Sequence, residues 1–178
     1  MEEVKIVKKQ RRIDPNSYWR QLNRLEKLNK SAEVKAGIVF SFHSLIIGLF
    51  ADRADYFKLL LSENYFILIT VILWIVCALI SIFFAFKCFK PIIIKEKYDN
   101  NVFFFGDVVS KFESVENYAK TIMKITDSKE KLFKQLAQQI HAESSIVTIK
   151  FGNVKKSISF FIYSLIFIFL TFTLIFIF

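Results

Sequence analysis

The sequence predicts an all-α integral membrane protein with three transmembrane helices and a cytoplasmic helical region between the second and the third. Three observations carry that expectation. Hydrophobic residues make up 54% of the 178-residue chain, and 22 of them are Phe, more than the core of a small soluble domain takes up. They stand in blocks rather than dispersed. Lys and Arg number 25 against 16 Asp and Glu, a net charge of +9. On a membrane chain that excess reads first as topology and attraction to anionic lipid, and no direct nucleic-acid binding is expected.

Residues 1–13 carry Lys5, Lys8, Lys9, Arg11 and Arg12 and read as a basic cytoplasmic tail. They lack the apolar core and small-residue site of a cleavable signal peptide, so none is expected. Asp14-Pro15 marks a helix start, with Asp14 as the cap and Pro15 at the first helical position, where its missing N–H costs nothing. Tyr18, Leu22 and Leu25 follow at helical spacing, so 14–33 is an amphipathic helix. Its stripe has three possible partners: the soluble middle, a second copy, or the membrane surface.

Residues 34–51 form the first hydrophobic segment, slightly short for a span, since about 20 residues cross a hydrocarbon core. Two readings stand, a true span with Lys35 snorkelling at its end, or a re-entrant or interfacial helix. Gly37, Ser41, Ser44 and Gly48 share one face and are expected to pack helices closely. His43 lies off that stripe. An ionisable residue inside a span is a functional candidate, and a neutral histidine bonded to a neighbouring helix is the plainer alternative.

Residues 52–64 form an external loop. The second span covers 65–87, with Thr70, Cys77, Ser81, Ala85 and Cys88 as a small-residue stripe, and Pro91 ends the helix. Cys77 and Cys88 have no His or Cys partner at ligand spacing, so neither a disulfide framework nor a metal site is expected. The third span, 157–178, contains no charge. Ser157, Ser164 and Thr171 recur every seven residues and suit helix packing, or the lining of a pore if several copies assemble.

Orientation follows from the basic residues. Ten Lys and Arg lie in the arm through Lys35 and thirteen between Lys87 and Lys156, but only two in the 52–64 loop. The N-terminus and the central region are therefore expected in the cytoplasm.

The region 88–156 is the candidate sensor. Asp107 is expected to cap one helix carrying Val108, Phe112, Val115, Ala119 and Ile122. Asp127-Ser128-Lys129-Glu130 resembles a capping box with Asp127 as the cap. A second helix then carries Leu132, Leu136, Ile140, Glu143 and Val147 toward the third span, with Gly152 as a possible hinge. A helix pair this small needs the N-terminal helix or another subunit to complete its core.

Three short runs carry a resemblance: Phe104-Phe105-Gly106, the stretch from Gln139-Ile140-His141 through Ser144 and Ile146 to Lys150-Phe151, and Ala32-Glu33-Val34-Lys35-Ala36. They are similar to marked segments of the Pycsar transmembrane effector family. The third departs from the family's Ala-Asp-Thr-Lys-Ala at Glu33 and Val34, and Glu143 stands where the family often has Asn. The resemblance implies a bacterial inner-membrane protein of anti-phage defence. A partner nucleotide cyclase makes cyclic CMP, cyclic UMP or another cyclic nucleotide. That ligand activates the effector, which disrupts the membrane and causes abortive infection. A homo-oligomer in the lipid bilayer is expected. The ligand is a cyclic nucleotide, with no other cofactor. Asn101, His141, Ser144 and Lys150 are candidates to hold its phosphate, and Phe103 or Phe105 to stack on its base. The plainer readings are core or membrane-surface packing for the Phe run, an interface marker for Lys150, and a structural role for His141.

No nucleophile elbow, phosphate loop or carboxylate pair appears, so no catalytic residue is expected. The competing class is a non-lytic adaptor, a membrane scaffold that holds a cytoplasmic protein through the 15–30 and 108–147 helices.

Overall fold

The structure is a computed structural model that describes residues 14–55, 64–92 and 100–177. The basic tail, most of the 52–64 loop and the first residues after Ile92 lie outside the described residues. The model is 89% helical, without strands among the described residues, and three of its helices are long and apolar enough to cross a membrane. In chain order the helices are α1 (Pro15–Asp52), α2 (Tyr65–Phe89), α3 (Phe105–Ser110), α4 (Val115–Thr126) and α5 (Lys129–Ile177). The chain divides into two units. One takes the described residues of Met1–Arg24 and Lys97–His141, the other those of Leu25–Glu96 and Ala142–Phe178.

Local chemistry sets the helix ends. The Asp14 carboxylate accepts the Asn16 N–H at 3.0 Å, and the Asn64 side chain accepts that of Phe66 at 2.9 Å. Two expected starts are corrected. Phe104, not Asp107, occupies the cap position of α3, and the Asp107 carboxylate turns back instead to the Asn101 N–H. The single helix expected from Asp107 to Ile122 breaks after Ser110, because the Ser114 hydroxyl accepts the Asn117 N–H at 3.2 Å and starts α4 afresh. The first hydrogen bond of α5 runs from Leu132 N–H to the Ser128 carbonyl, so Ser128 rather than Asp127 caps it. Asp127 closes α4. Gly152 does not interrupt α5.

In the larger unit α1, α2 and α5 form an up-down-up bundle. Phe40 meets Phe86 and Phe50 meets Trp74, so α1 and α2 are antiparallel. His43 meets Phe161 and Phe50 meets Phe172, so α1 and α5 run parallel. Hydroxyls form the α2–α5 seam. Ser81 Oγ donates to the Ser157 carbonyl at 2.8 Å and Ser157 Oγ to the Ser81 carbonyl at 2.9 Å. Further along, Thr171 Oγ1 lies 3.0 Å from Thr70 Oγ1. Ser157, Ser164 and Thr171 are all buried, so within one chain the seven-residue repeat packs helices. Small side chains allow that approach, and the reciprocal bonds satisfy the hydroxyls of both Ser81 and Ser157.

The packed face of α1 is not the one expected. Ala32, Ala36, Val39 and His43 are buried, whereas Ser41, Ser44 and Gly48 are exposed and Gly37 is only half-buried, against Phe89. Both stripes have the same spacing. The Ala stripe wins because it also takes the imidazole of His43 out of lipid. Neither ring nitrogen of His43 has a hydrogen-bond partner among the described residues, so the ring packs edge-on against Phe161 at 5.0 Å instead of bonding across helices.

The seam makes a direct prediction. Ser81→Ala keeps the close approach and costs about 0.6 kcal/mol, the usual worth of such bonds in membranes. Ser81→Leu forces α2 and α5 apart and costs roughly 1–3 kcal/mol. Thermal loss of helicity in detergent ranks the two.

Candidate functional site

In the smaller unit the chain after α2 is tied to α5 by amide groups. Asn101 is 3% exposed. Its Nδ2 donates to the Gln135 carbonyl at 2.9 Å and to Gln138 Oε1 at 3.3 Å, and its Oδ1 accepts the Phe103 N–H at 2.9 Å. Its backbone N–H donates to Asp107 Oδ2 at 3.0 Å. Gln135 grips the backbone on either side, accepting the Val102 N–H at 2.9 Å and donating to the Asn100 carbonyl at 3.0 Å. The Tyr118 hydroxyl donates to the Val102 carbonyl at 3.1 Å. Every donor of Asn101 is thereby committed within the protein. The side chain is built as an anchor.

The apolar half of the unit surrounds that anchor. Leu136 and Val102 are fully buried. The Phe103 ring meets Trp19 edge-on at 5.6 Å, and Phe133 meets Tyr18 at 5.2 Å. Of the three possible partners for the amphipathic stripe, the first turns of α1 meet the middle of the chain, through Tyr18 and its neighbour Trp19. Phe104 folds over Gly106 so closely that a Cβ there would lie 2.9 Å from the ring, which accounts for glycine in the Phe-Phe-Gly run. Phe105 remains 69% exposed, available for contact with a base, a protein or lipid. His141 is exposed on α5.

Ser144 and Lys150 belong to the other unit. Ser144 is half-buried, and its carbonyl accepts the Thr148 hydroxyl at 2.8 Å. Lys150 is 4% exposed, and its ammonium pairs with the Glu33 carboxylate. The pairing joins two of the runs singled out above. Ala32 and Ala36 pack with Ala85, Cys88 and Val154, Glu33 takes Lys150, and the Lys35 ammonium lies 5.3 Å from the centre of the Phe151 ring. A buried lysine needs such a counter-ion, because an unpaired charge there costs several kcal/mol. Burial, and then the charge of Glu26, push the Glu143 carboxyl above its ordinary range, with Lys150 opposing them. Among the described residues no group of His, Cys, Asp and Glu is arranged to hold a metal ion.

Sequence reasoning missed Gln135, Gln138, Tyr118 and Glu33 as organising residues. Gln135 did carry a signal, since it interrupts the apolar face between Leu132 and Leu136. Only the fold shows what it reaches.

Three helices long and apolar enough to span a bilayer, together with a separate helical unit anchored by Asn101 and Gln135, define an all-α integral membrane protein. The chain matches the family model described as the Pycsar effector protein domain over residues 17–177. It belongs to that family, and so to the effectors of anti-phage signalling. No curated protein and no solved structure matches it.

Two predictions arise here. Asn101→Ala and Gln135→Ala each strand buried polar groups and cost about 1–3 kcal/mol. The double variant costs less than their sum, because the two residues share one network, and a double-mutant cycle in detergent measures the difference. For Glu143, the unfolded chain ionises at the ordinary, lower pKa while the folded chain still holds the proton. Stability therefore falls as pH rises from the ordinary carboxylate range through the folded pKa. Glu143→Gln flattens that slope and raises the melting temperature above it, as read by melting curves across pH.

Proposed function

We propose that this chain is a non-enzymatic membrane effector that senses a cyclic nucleotide, cyclic CMP or cyclic UMP or a related one, and disrupts the bacterial inner membrane to abort infection. The observation that carries this reading is the continuity of α5. One uninterrupted helix bears His141, Ser144 and Lys150 and runs on into the charge-free segment from Ser157. A ligand that engages Ser144 or Lys150 acts on the same helix that carries the charge-free segment.

Lys150 supplies the element that such a ligand would bias. At rest its ammonium is held by Glu33 of α1. A cyclic phosphate presents a competing anion. If it took Lys150, α5 would be released from α1 at the entry to the bundle. The shift in population equals the ligand's differential affinity for the released state, and moving a 1:99 balance to 99:1 takes about 5.5 kcal/mol. A nucleotide cyclase supplies the ligand, the central region faces the cytoplasm where it appears, and the effector acts as a homo-oligomer.

A second reading has one observation of its own. Phe105 and Val109, one turn apart on α3, are 69% and 85% exposed, a small apolar face that suits a protein partner of a non-lytic adaptor.

Binding of cyclic CMP, cyclic UMP, cyclic AMP, cyclic GMP and cyclic di- and trinucleotides to the detergent-solubilised protein tests the proposal. Selective binding of a cyclic nucleotide, weakened at least about tenfold by Lys150→Ala, is the expected result, since charge-assisted hydrogen bonds are worth about 1.5–3 kcal/mol. No binding across the panel would move the search to protein partners. A growth assay without any cyclase adds a second readout. Glu33→Gln, which leaves Lys150 without its counter-ion, is expected to depolarise cells in the absence of ligand, and a Glu33→Lys/Lys150→Glu exchange to return them to rest.

A further inference from the structure

At the end of the bundle where α2 stops and the charge-free part of α5 begins, two lysines from different helices converge on one aromatic ring. The Lys87 ammonium lies 5.8 Å from the centre of Phe84 and 4.8 Å from that of Phe83. The Lys156 ammonium lies 5.2 Å from the same Phe84 ring. Phe160 stacks on Phe84 at 6.3 Å with its plane tilted by only 13°. Both lysines are exposed, and neither has a carboxylate partner among the described residues. Glu33 at this end of the bundle is already taken by Lys150.

We propose that Lys87 and Lys156 form a binding site for the headgroup of an anionic phospholipid in the groove between α2 and α5. The lysines supply charge for a phosphodiester. The rings hold the two stems at a fixed spacing through cation–π attraction, so little side-chain freedom is left to lose on binding. Phe83, 54% exposed, and Phe160 continue from the lysines along the apolar surface that an acyl chain would follow. A soluble phosphate would use the two charges alone, whereas a lipid uses the charges and the apolar groove together. The site rests on the spanning bundle alone and is independent of the nucleotide reading.

The test is the lipid retained when the protein is extracted from vesicles of equal phosphatidylcholine and phosphatidylglycerol, measured by mass spectrometry. A lysine near an anionic surface contributes roughly a fivefold preference, so an enrichment of phosphatidylglycerol between about fivefold and thirtyfold is expected. Lys87→Gln with Lys156→Gln brings the ratio close to that supplied. Lys90→Gln with Lys155→Gln, which removes two neighbouring exposed charges, leaves it high. Lys87→Arg with Lys156→Arg, which keeps both charges, also leaves it high. The site is overturned if the wild-type protein retains the lipids as supplied, if both Gln pairs lose enrichment equally, or if the Arg pair loses it. Displacement of phosphatidylglycerol by inorganic phosphate at matched concentration would overturn the lipid and leave a bare phosphate site.

Discussion

The ion pair between Lys150 and Glu33 is the constraint around which the bundle closes. Lys150 sits on α5 about two turns before the charge-free segment that starts at Ser157, and it is buried there. An ammonium in that position must find a carboxylate or force the helices apart. Glu33 is the residue that answers it, from α1, one turn before the first long apolar run. Ala32 and Ala36 flank Glu33 and disappear completely into the contact, so the charge pair and the small residues act together. Such a pair adds little net stability, because both ions have lost water to form it. Its value lies in specifying which face of α1 meets which turn of α5.

Hydroxyls settle the remaining register. Lipid offers no hydrogen bonds, so a serine inside a span has to bond to its own helix or to a neighbour. Ser81 and Ser157 choose the neighbour and exchange bonds with each other's carbonyls. The α2–α5 contact therefore joins these polar contacts to apolar packing, as of Val71 and Trp74 with Ile168.

Much of the fold was legible because membrane solvent leaves few options. Blocks of apolar residues mark the three spans, and the seven-residue hydroxyl repeat marks the inner face of the third. Caps were harder. Asp107 and Asp127 had the right chemistry for N-caps, yet Phe104 and Ser128 stand at those starts, and Ser114 caps a further helix that the sequence pattern had run together with the first. Several residues in one stretch can cap, and the choice falls to whichever start lets the apolar stripe reach the core. The candidate site was legible only in outline. Asn101 and Lys150 were recognisable as unusual, but a residue's type does not reveal whether its donors are already spent.

By itself, the sequence determined the class of protein, the three spans and the runs that mark the family, since these depend on composition and local order. The tertiary structure decided which of two equivalent small-residue faces on α1 packs, that Asn101 anchors to Gln135, and that Glu33 meets Lys150. The physical reason is distance along the chain. Asn101 and Gln135 are 34 residues apart and Glu33 and Lys150 are 117 apart. No local periodicity links positions so remote; only the closed bundle of one unit and the folded helices of the other bring them together.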